Sequence, residues 1–341
     1  MTDLRIALAQ TSPIWGDPLA TAQRAAGLIA EAAAAGARTI AFPETFLGGY
    51  PFWPSRTHGA AFEDPGQRAA FGWYLEHAVT ADGPELALIA EACAAHGVFA
   101  FVGAAERGVG RGHGTVWCSI AAIDPARGLV GVHRKLVPTH DERMVWGRGD
   151  GAGLRTYEVD GVRIGALNCW ENWMPQARHA LYADGADVHL GLWPGSRELT
   201  TDITRFIAME GRVWSLAVGG VLDFGHLPED FPLREEIAAW PHPSPFDGGT
   251  AVATPDGAWV VEPRCDGPGL SIVDLDLGAV RGARLSFDAA GHYARPDVFQ
   301  VTVDRSRQEA ARFVDPAARS AAAFVADAGE RSAPASSRAH A

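Results

Sequence analysis

Short apolar runs alternate along this chain with longer stretches of helical periodicity. That alternation restricts the fold more than any other property of the sequence. Residues 4–9, 38–42, 98–103, 115–123, 128–133, 162–167, 188–192 and 215–221 read as strands, and 249–254, 259–262 and 269–276 as late strands. The Ala-rich stretch 18–35, closed by Gly36, reads as a helix, as does 84–96, closed by Gly97. Residues 175–183 and 200–212 read likewise, the latter with Ile203, Phe206 and Ile207 on one face. Strands that alternate with helices predict an α/β layered fold. Residues 48–67 are rich in Gly, Pro and aromatics and read as a loop. Its Tyr50, Phe52, Trp53 and Phe62 are placed to wall a pocket. Residues 222–245 read as an irregular, Pro-rich insertion whose Phe224, Phe231, Ile237 and Trp240 look exposed and available for a contact between subunits. The rival expectation is a lid over the insertion's own domain.

Three of the strand ends carry reactive groups. Cys169 follows the strand-like run 162–167, so its thiol can be aimed by rigid structure beneath it and can act as a nucleophile. Glu44 lies just past 38–42 and can serve as a general base if burial raises its pKa. Lys135 closes the run 128–133 and can stabilise negative charge that develops on an attacked nitrogen or oxygen. Each has a bland alternative: a small core cysteine, a capping glutamate, a solvated lysine. Together they put a thiol, a carboxylate and an ammonium at the ends of three strands of what reads as one sheet system, where open α/β folds build their sites.

The segments Phe42-Pro43-Glu44, His133-Arg134-Lys135-Leu136 and Asn168-Cys169-Trp170-Glu171-Asn172 stand in the order of the three signature segments of the nitrilase superfamily, which this chain resembles. The resemblance extends over residues 4–303. It includes the segment from Pro138 to Gly147, which is similar to the stretch carrying a second active-site glutamate in the nitrilase branch, here Glu142. It also takes in Trp193-Pro194-Gly195 and the run from Gly291 to Val298. It implies a four-layer α-β-β-α sandwich and a Glu44-Lys135-Cys169 triad. The implied chemistry is hydrolysis of a nitrile to the acid and ammonia through a thioimidate and a thioester, with no cofactor and no metal. It further implies a homo-oligomer built from dimers, in some members extended into spirals. A domain over residues 1–305 with a tail over 306–341, Ser/Ala/Pro-rich and disordered at 332–341, is the expected organisation. Trp170 is expected to offer its backbone N–H to developing charge and its ring to the pocket, and Tyr50, Trp146 and Trp193 to line it. Core packing is the equal alternative for the two tryptophans at 146 and 193. Glu171 is expected to turn away into a cap or a buried ion pair. The aromatic segments favour an apolar, aryl-bearing nitrile over a charged one.

Rival functions find less support. A related amidase or a cyanide-degrading enzyme would use the same triad, and a non-catalytic scaffold would have no physical need of it. A Cys-His protease would need a downstream His179, His189 or His292 and would leave Glu44 and Lys135 without work. The Gly-rich run 108–114 fits neither dinucleotide nor P-loop spacing. The twelve histidines include no zinc-type spacing, and the four cysteines, Cys93, Cys118, Cys169 and Cys265, form no CxxC pair. Reduced thiols in a cytoplasmic protein are the economical expectation. A net charge of −12 argues against nucleic acid or an anionic membrane as partner. No apolar run reaches membrane-spanning length, and the first residues lack the pattern of a secretory signal.

Overall fold

A computed structural model describes residues 3–110 and 112–311. The elements in chain order begin with β1 (Asp3–Gln10), α1 (Pro18–Ala34), β2 (Thr39–Ala41), α2 (Pro65–Glu76), α3 (Pro84–His96), β3 (Phe99–Arg107), β4 (Val116–Asp124) and β5 (Gly128–Arg134). They continue with β6 (Thr156–Val159), β7 (Val162–Asn168), α4 (Pro175–Ala183), β8 (Val188–Trp193), α5 (Arg197–Gly211), β9 (Trp214–Gly219) and α6 (Arg234–Ala238). The last are β10 (Thr250–Ala253), β11 (Trp259–Arg264), β12 (Gly269–Asp276) and α7 (Leu277–Ala283). Local chemistry sets many of these boundaries. Asp17 Oδ1 accepts from Ala20 N at 2.7 Å and Pro18 opens α1, while Gly97, at φ +66°, ends α3 in the left-handed conformation that glycine adopts without strain.

The strands form two six-stranded sheets, ordered β12-β1-β2-β3-β4-β5 and β11-β10-β9-β8-β7-β6. Each has three parallel strands at its centre, β1-β2-β3 and β7-β8-β9, flanked by antiparallel ones. Period-two alternation sends Leu4, Ile6 and Leu8 of β1 and Val162, Ile164 and Ala166 of β7 into one shared core, so the sheets pack face to face. The opposite parity meets helices. Ala7, Ala9 and Ile40 pack with Ala25 and Ile29 of α1 and Ile89 of α3, and Leu167 packs with Ala177 and Leu181 of α4. The central strands are thus buried on both faces, which is why they read as unbroken apolar runs. The result is the α-β-β-α sandwich.

The structure corrects the sequence reading in several places. The reactive strand ends belong to two sheets, not one: Glu44 and Lys135 follow strands of the first, Cys169 a strand of the second. The loop expected over 48–67 gives way at Pro65 to α2, whose Gly66 and Gly72 weaken its helical pattern. The short strand β6 and helix α7 have no counterpart in that reading. In the 222–245 insertion, Phe231 and Ile237 are buried, not exposed. They pack with Trp53, Trp73 and Tyr74, so the segment folds over its own domain, and only Trp240 of the four stands substantially open. One compact unit runs to Arg307. The segment 332–341, expected to be disordered, lies outside the described residues.

Candidate active site

Glu44 sits three residues beyond β2, in a turn held by two neighbouring strand ends. Its N–H donates to Trp193 O at 3.4 Å, and Gly103 of β3 passes so close beneath that a Cβ there would overlap the Pro43 carbonyl. Lys135 follows β5, its N–H bonded to Cys118 O of β4 at 2.8 Å. Cys169 begins a single turn after β7 and has φ +45°, a left-handed conformation unusual for a non-glycine residue. Such backbone strain gathers where a side chain must be presented at one angle.

These groups converge between the sheets. Lys135 Nζ lies 2.9 Å from Glu44 Oε1 and 2.7 Å from Glu142 Oε2, and all three side chains are buried. A ligand atom from each of Glu44, Glu142 and Cys169 falls within 4.8 Å of the others. That set resembles a metal cluster in residue type alone, because the Lys135 ammonium already bridges both carboxylates. Both oxygens of Glu142 are engaged: Oε2 also takes Thr139 N at 2.6 Å, and Oε1 takes the Tyr50 hydroxyl at 2.9 Å. Glu44 is left differently. Its Oε1 receives Lys135 and, at 3.2 Å, the Cys118 thiol, while Oε2 is buried without a partner among the described residues.

Burial pushes the Glu44 carboxyl up to about 7, with Lys135 opposing and Glu142 reinforcing the rise. Burial also raises the Cys169 thiol well above its usual range, aided by Glu44. Lys135 and a hydrogen bond from the Trp170 N–H work the other way. Burial alone would lower Lys135, but Glu44, Cys169 and Glu142 together hold its ammonium firmly protonated. At neutral pH the pair is therefore a thiol beside a carboxyl poised to take its proton, not a preformed thiolate.

Other expected residues divide. Tyr50 is brought to Glu142, and its ring meets Trp146 edge-on at 5.6 Å. Trp146 in turn lies under the Lys135 ammonium at 5.3 Å. Trp193 is fully buried, packed with Cys169, Ile203 and Ile207 between the second sheet and α5. The Trp170 ring is set differently from these. It is 47% exposed and stacks on Trp173 at 6.0 Å, away from the aromatics around Glu142, because the strained turn points Cys169 inward and its neighbour outward. Glu171 does turn away, into a buried pair with His133 at 2.9 Å. It also accepts from Leu136 N at 2.8 Å and Asn168 N at 3.0 Å, so it joins the lysine segment to the cysteine turn. Asn172 braces the same turn through Cys169 O, at 2.8 Å, and takes His189 Nε2 at 2.7 Å. Cys118 is the neighbour that sequence reasoning misses. Its only signal is its place on the strand paired with that of Lys135.

The carbon-nitrogen hydrolase family model matches residues 5–285. This chain belongs to the carbon-nitrogen hydrolase family. Among similar family members is a nitrilase of Bradyrhizobium diazoefficiens, 41% identical over 286 residues, 84% of this hydrolase and 87% of the relative. An aliphatic nitrilase of Sinorhizobium fredii is 36% identical over 310 residues, 91% and 98% of the two chains. Nitrilase 1 of Arabidopsis thaliana is 34% identical over 317 residues, 92% and 90%. The hydrolase is also similar in fold to a carbon-nitrogen hydrolase from Helicobacter pylori, with TM-score 0.64 at 18% identity over 87% of this chain and 97% of the other. A CN-hydrolase superfamily protein from Xanthomonas campestris gives 0.63 at 20% identity, over 84% and 96%.

Proposed function

We propose that this hydrolase converts an organic nitrile to its carboxylic acid and ammonia. The observation that carries the reading is the Lys135 ammonium held between Glu44 and Glu142 beside the Cys169 thiol, in a chain whose similar relatives are named nitrilases. Glu44, through the partnerless Oε2, accepts the thiol proton as Cys169 Sγ attacks the nitrile carbon. The nitrogen takes up that proton, and a thioimidate forms. Lys135 and the Trp170 N–H face the charge that builds during attack. Water, deprotonated by Glu44, adds to the thioimidate carbon. The nitrogen leaves as ammonia and a thioester remains. A second water releases the acid and restores the thiol, so two waters are consumed per nitrile. Glu142 positions Lys135, and Tyr50 positions Glu142.

Ammonia release from aliphatic, aromatic and arylacetic nitriles and cyanide, beside the matched amides, tests this reading. Turnover of nitriles that disappears in Cys169→Ala is expected. Turnover of amides alone would replace the nitrile with an amide as substrate.

The same hydrolase is proposed to work in the cytoplasm, where its free cysteines stay reduced, and to assemble with itself. No helix among the described residues is long and apolar enough to cross a membrane. Supporting self-association, α5 leaves Phe206 44% and Met209 40% exposed, and Trp173 beside α4 is 41% exposed. Light scattering at micromolar concentration checks this, and a monomeric mass would refute it.

A further inference from the structure

The insertion between β9 and β10 is pinned at its neck, where Leu222 N donates to Phe246 O at 2.9 Å and Val221 bridges Asp247. The neck lies against the catalytic turns: a Cβ on Gly195 would stand 2.9 Å from Phe246 Cα, and one on Gly220 3.4 Å from Pro43 Cβ. From there Phe246 reaches the Tyr50 ring at 5.1 Å, and Tyr50 bonds Glu142. The aromatic layer continues outward through Phe52, stacked at 4.4 Å on Phe224 of the insertion. At its outer end sits a cation. The Arg56 guanidinium lies over Phe224 at 5.1 Å and over Trp240 at 5.5 Å.

Arg56 is not balanced as Arg134 and Arg178 are, though Arg212 likewise has a buried Nε without a partner among the described residues. Arg134 and Arg178 each grip a glutamate through two nitrogens. Arg56 has no carboxylate within salt-bridge distance among the described residues. Its Nη1 donates to Ser55 Oγ at 2.7 Å and, more weakly, to Phe52 O at 3.5 Å, while Nε is buried with no hydrogen-bond partner. Burial lowers its pKa, and Asp141 and Tyr50 partly restore it. Two aromatic faces hold the guanidinium plane, and with Nη1 tied to Ser55 its Nε–Nη2 edge is left uncommitted among the described residues. That arrangement suits bidentate recognition of a planar anion.

Resting on the nitrile reading above, we propose that Arg56 is the distal recognition group of this site. It binds a carboxylate at the end of an elongated nitrile remote from the cyano carbon, so ω-cyanocarboxylates are the substrate class. The aromatic walls from Tyr50 to Phe224 line the methylene or aryl spacer. This differs from the apolar substrate that the aromatic content alone suggests, because the aromatic layer ends on an unpaired charge.

A series of ω-cyanocarboxylates of increasing chain length, each with its methyl ester, tests the proposal. At the best length the wild type should favour acid over ester in kcat/KM. In Arg56→Met that ratio should fall roughly tenfold to a hundredfold, the range of a hydrogen-bonded charge, with Arg56→Lys between. A ratio that does not respond to Arg56→Met, or a wild type that prefers the ester at every length, would overturn it and leave Arg56 as a pin for the insertion. A second measurement requires no nitrile turnover and no variant. Glutarate, adipate or pimelate should protect Cys169 of the wild type from iodoacetamide at concentrations where monocarboxylates of equal length do not. Equal protection refutes the Arg56 assignment. Release of ammonia from amides only, with the dicarboxylate protection intact, would fault the nitrile reading and spare Arg56.

Discussion

Glu44 gives one carboxylate oxygen to Lys135, at 2.9 Å, and keeps the other buried and unpartnered. The pairing fixes the carboxylate's direction without saturating it, so a buried base remains free to accept a proton. The same burial lifts Glu44 to about 7.

The acid limb of the pH profile should therefore report Glu44. Activity requires the carboxylate, so kcat/KM should fall as pH drops through about 7, well above the ordinary glutamate range. Glu44→Gln should lose roughly 10²–10⁴-fold in rate at every pH. Cys169→Ala should lose turnover altogether while keeping the wild-type melting temperature within a few degrees. An acid limb near 4 to 5, the usual glutamate range, would remove Glu44 from the role of base.

The Glu142 carboxylate and the Tyr50 hydroxyl should act through Lys135. Glu142→Gln removes a charge that raises Glu44, so the acid limb should move to lower pH while kcat falls. Tyr50→Phe deletes one bond to a charged acceptor, worth about 1.5–3 kcal/mol, and should cost roughly tenfold to a hundredfold in kcat with little change in KM. A KM effect alone would mean that the hydroxyl, and not only the ring, serves the substrate.

The triad is legible in the sequence because each member closes a run of strand-like residues, and strand ends are where α/β folds put chemistry. Trp170 and the insertion are not legible in the same way. A tryptophan beside a nucleophile faces in or out according to the φ of one strained residue, and Phe231 and Ile237 look exposed until α2, hidden behind its own Pro and Gly residues, supplies the surface that covers them. Cys118 and Gly103 escape notice because their importance depends on the register of β3 and β4, in which Ala105 faces Cys118.

Gly103→Ala tests the seat of the Glu44 turn on β3. The added methyl would overlap the Pro43 carbonyl and come within 2.8 Å of Glu44 Cα. Overpacking of this kind costs about 1–3 kcal/mol in stability. The larger effect should be on catalysis, since a shift of about 1 Å in a reacting group can cost on the order of 10²-fold. Full kcat in a folded Gly103→Ala protein would mean that the Glu44 turn is not held from below.

His189 predicts a defined acid weakness. Burial, with Arg178 nearby, pushes its imidazole down to about 3, so it is neutral in the folded protein, whereas an unfolded chain binds a proton near 6.5. Below 6.5 the unfolded state holds more protons, so stability is complete above that pH and declines as pH falls toward 3, by up to about 5 kcal/mol. Urea unfolding at pH 7.5 and pH 4.5 should show the loss, and His189→Gln should narrow it. An identical pH dependence in the variant would assign the acid weakness to other groups.

The division of the triad between two sheets has a consequence for biosynthesis. Glu44, Lys135, Glu142 and Cys169 all precede β8, β9 and β12 in the chain and are synthesised before them. Yet β7 lies against β8 and β9, which end at Gly219, and β1 is edged by β12, which ends at Asp276. The nascent chain thus carries every reactive group in an idle state. Its thiol gains a base and a counter-charge only when the late strands arrive, so onset of turnover marks the completion of folding.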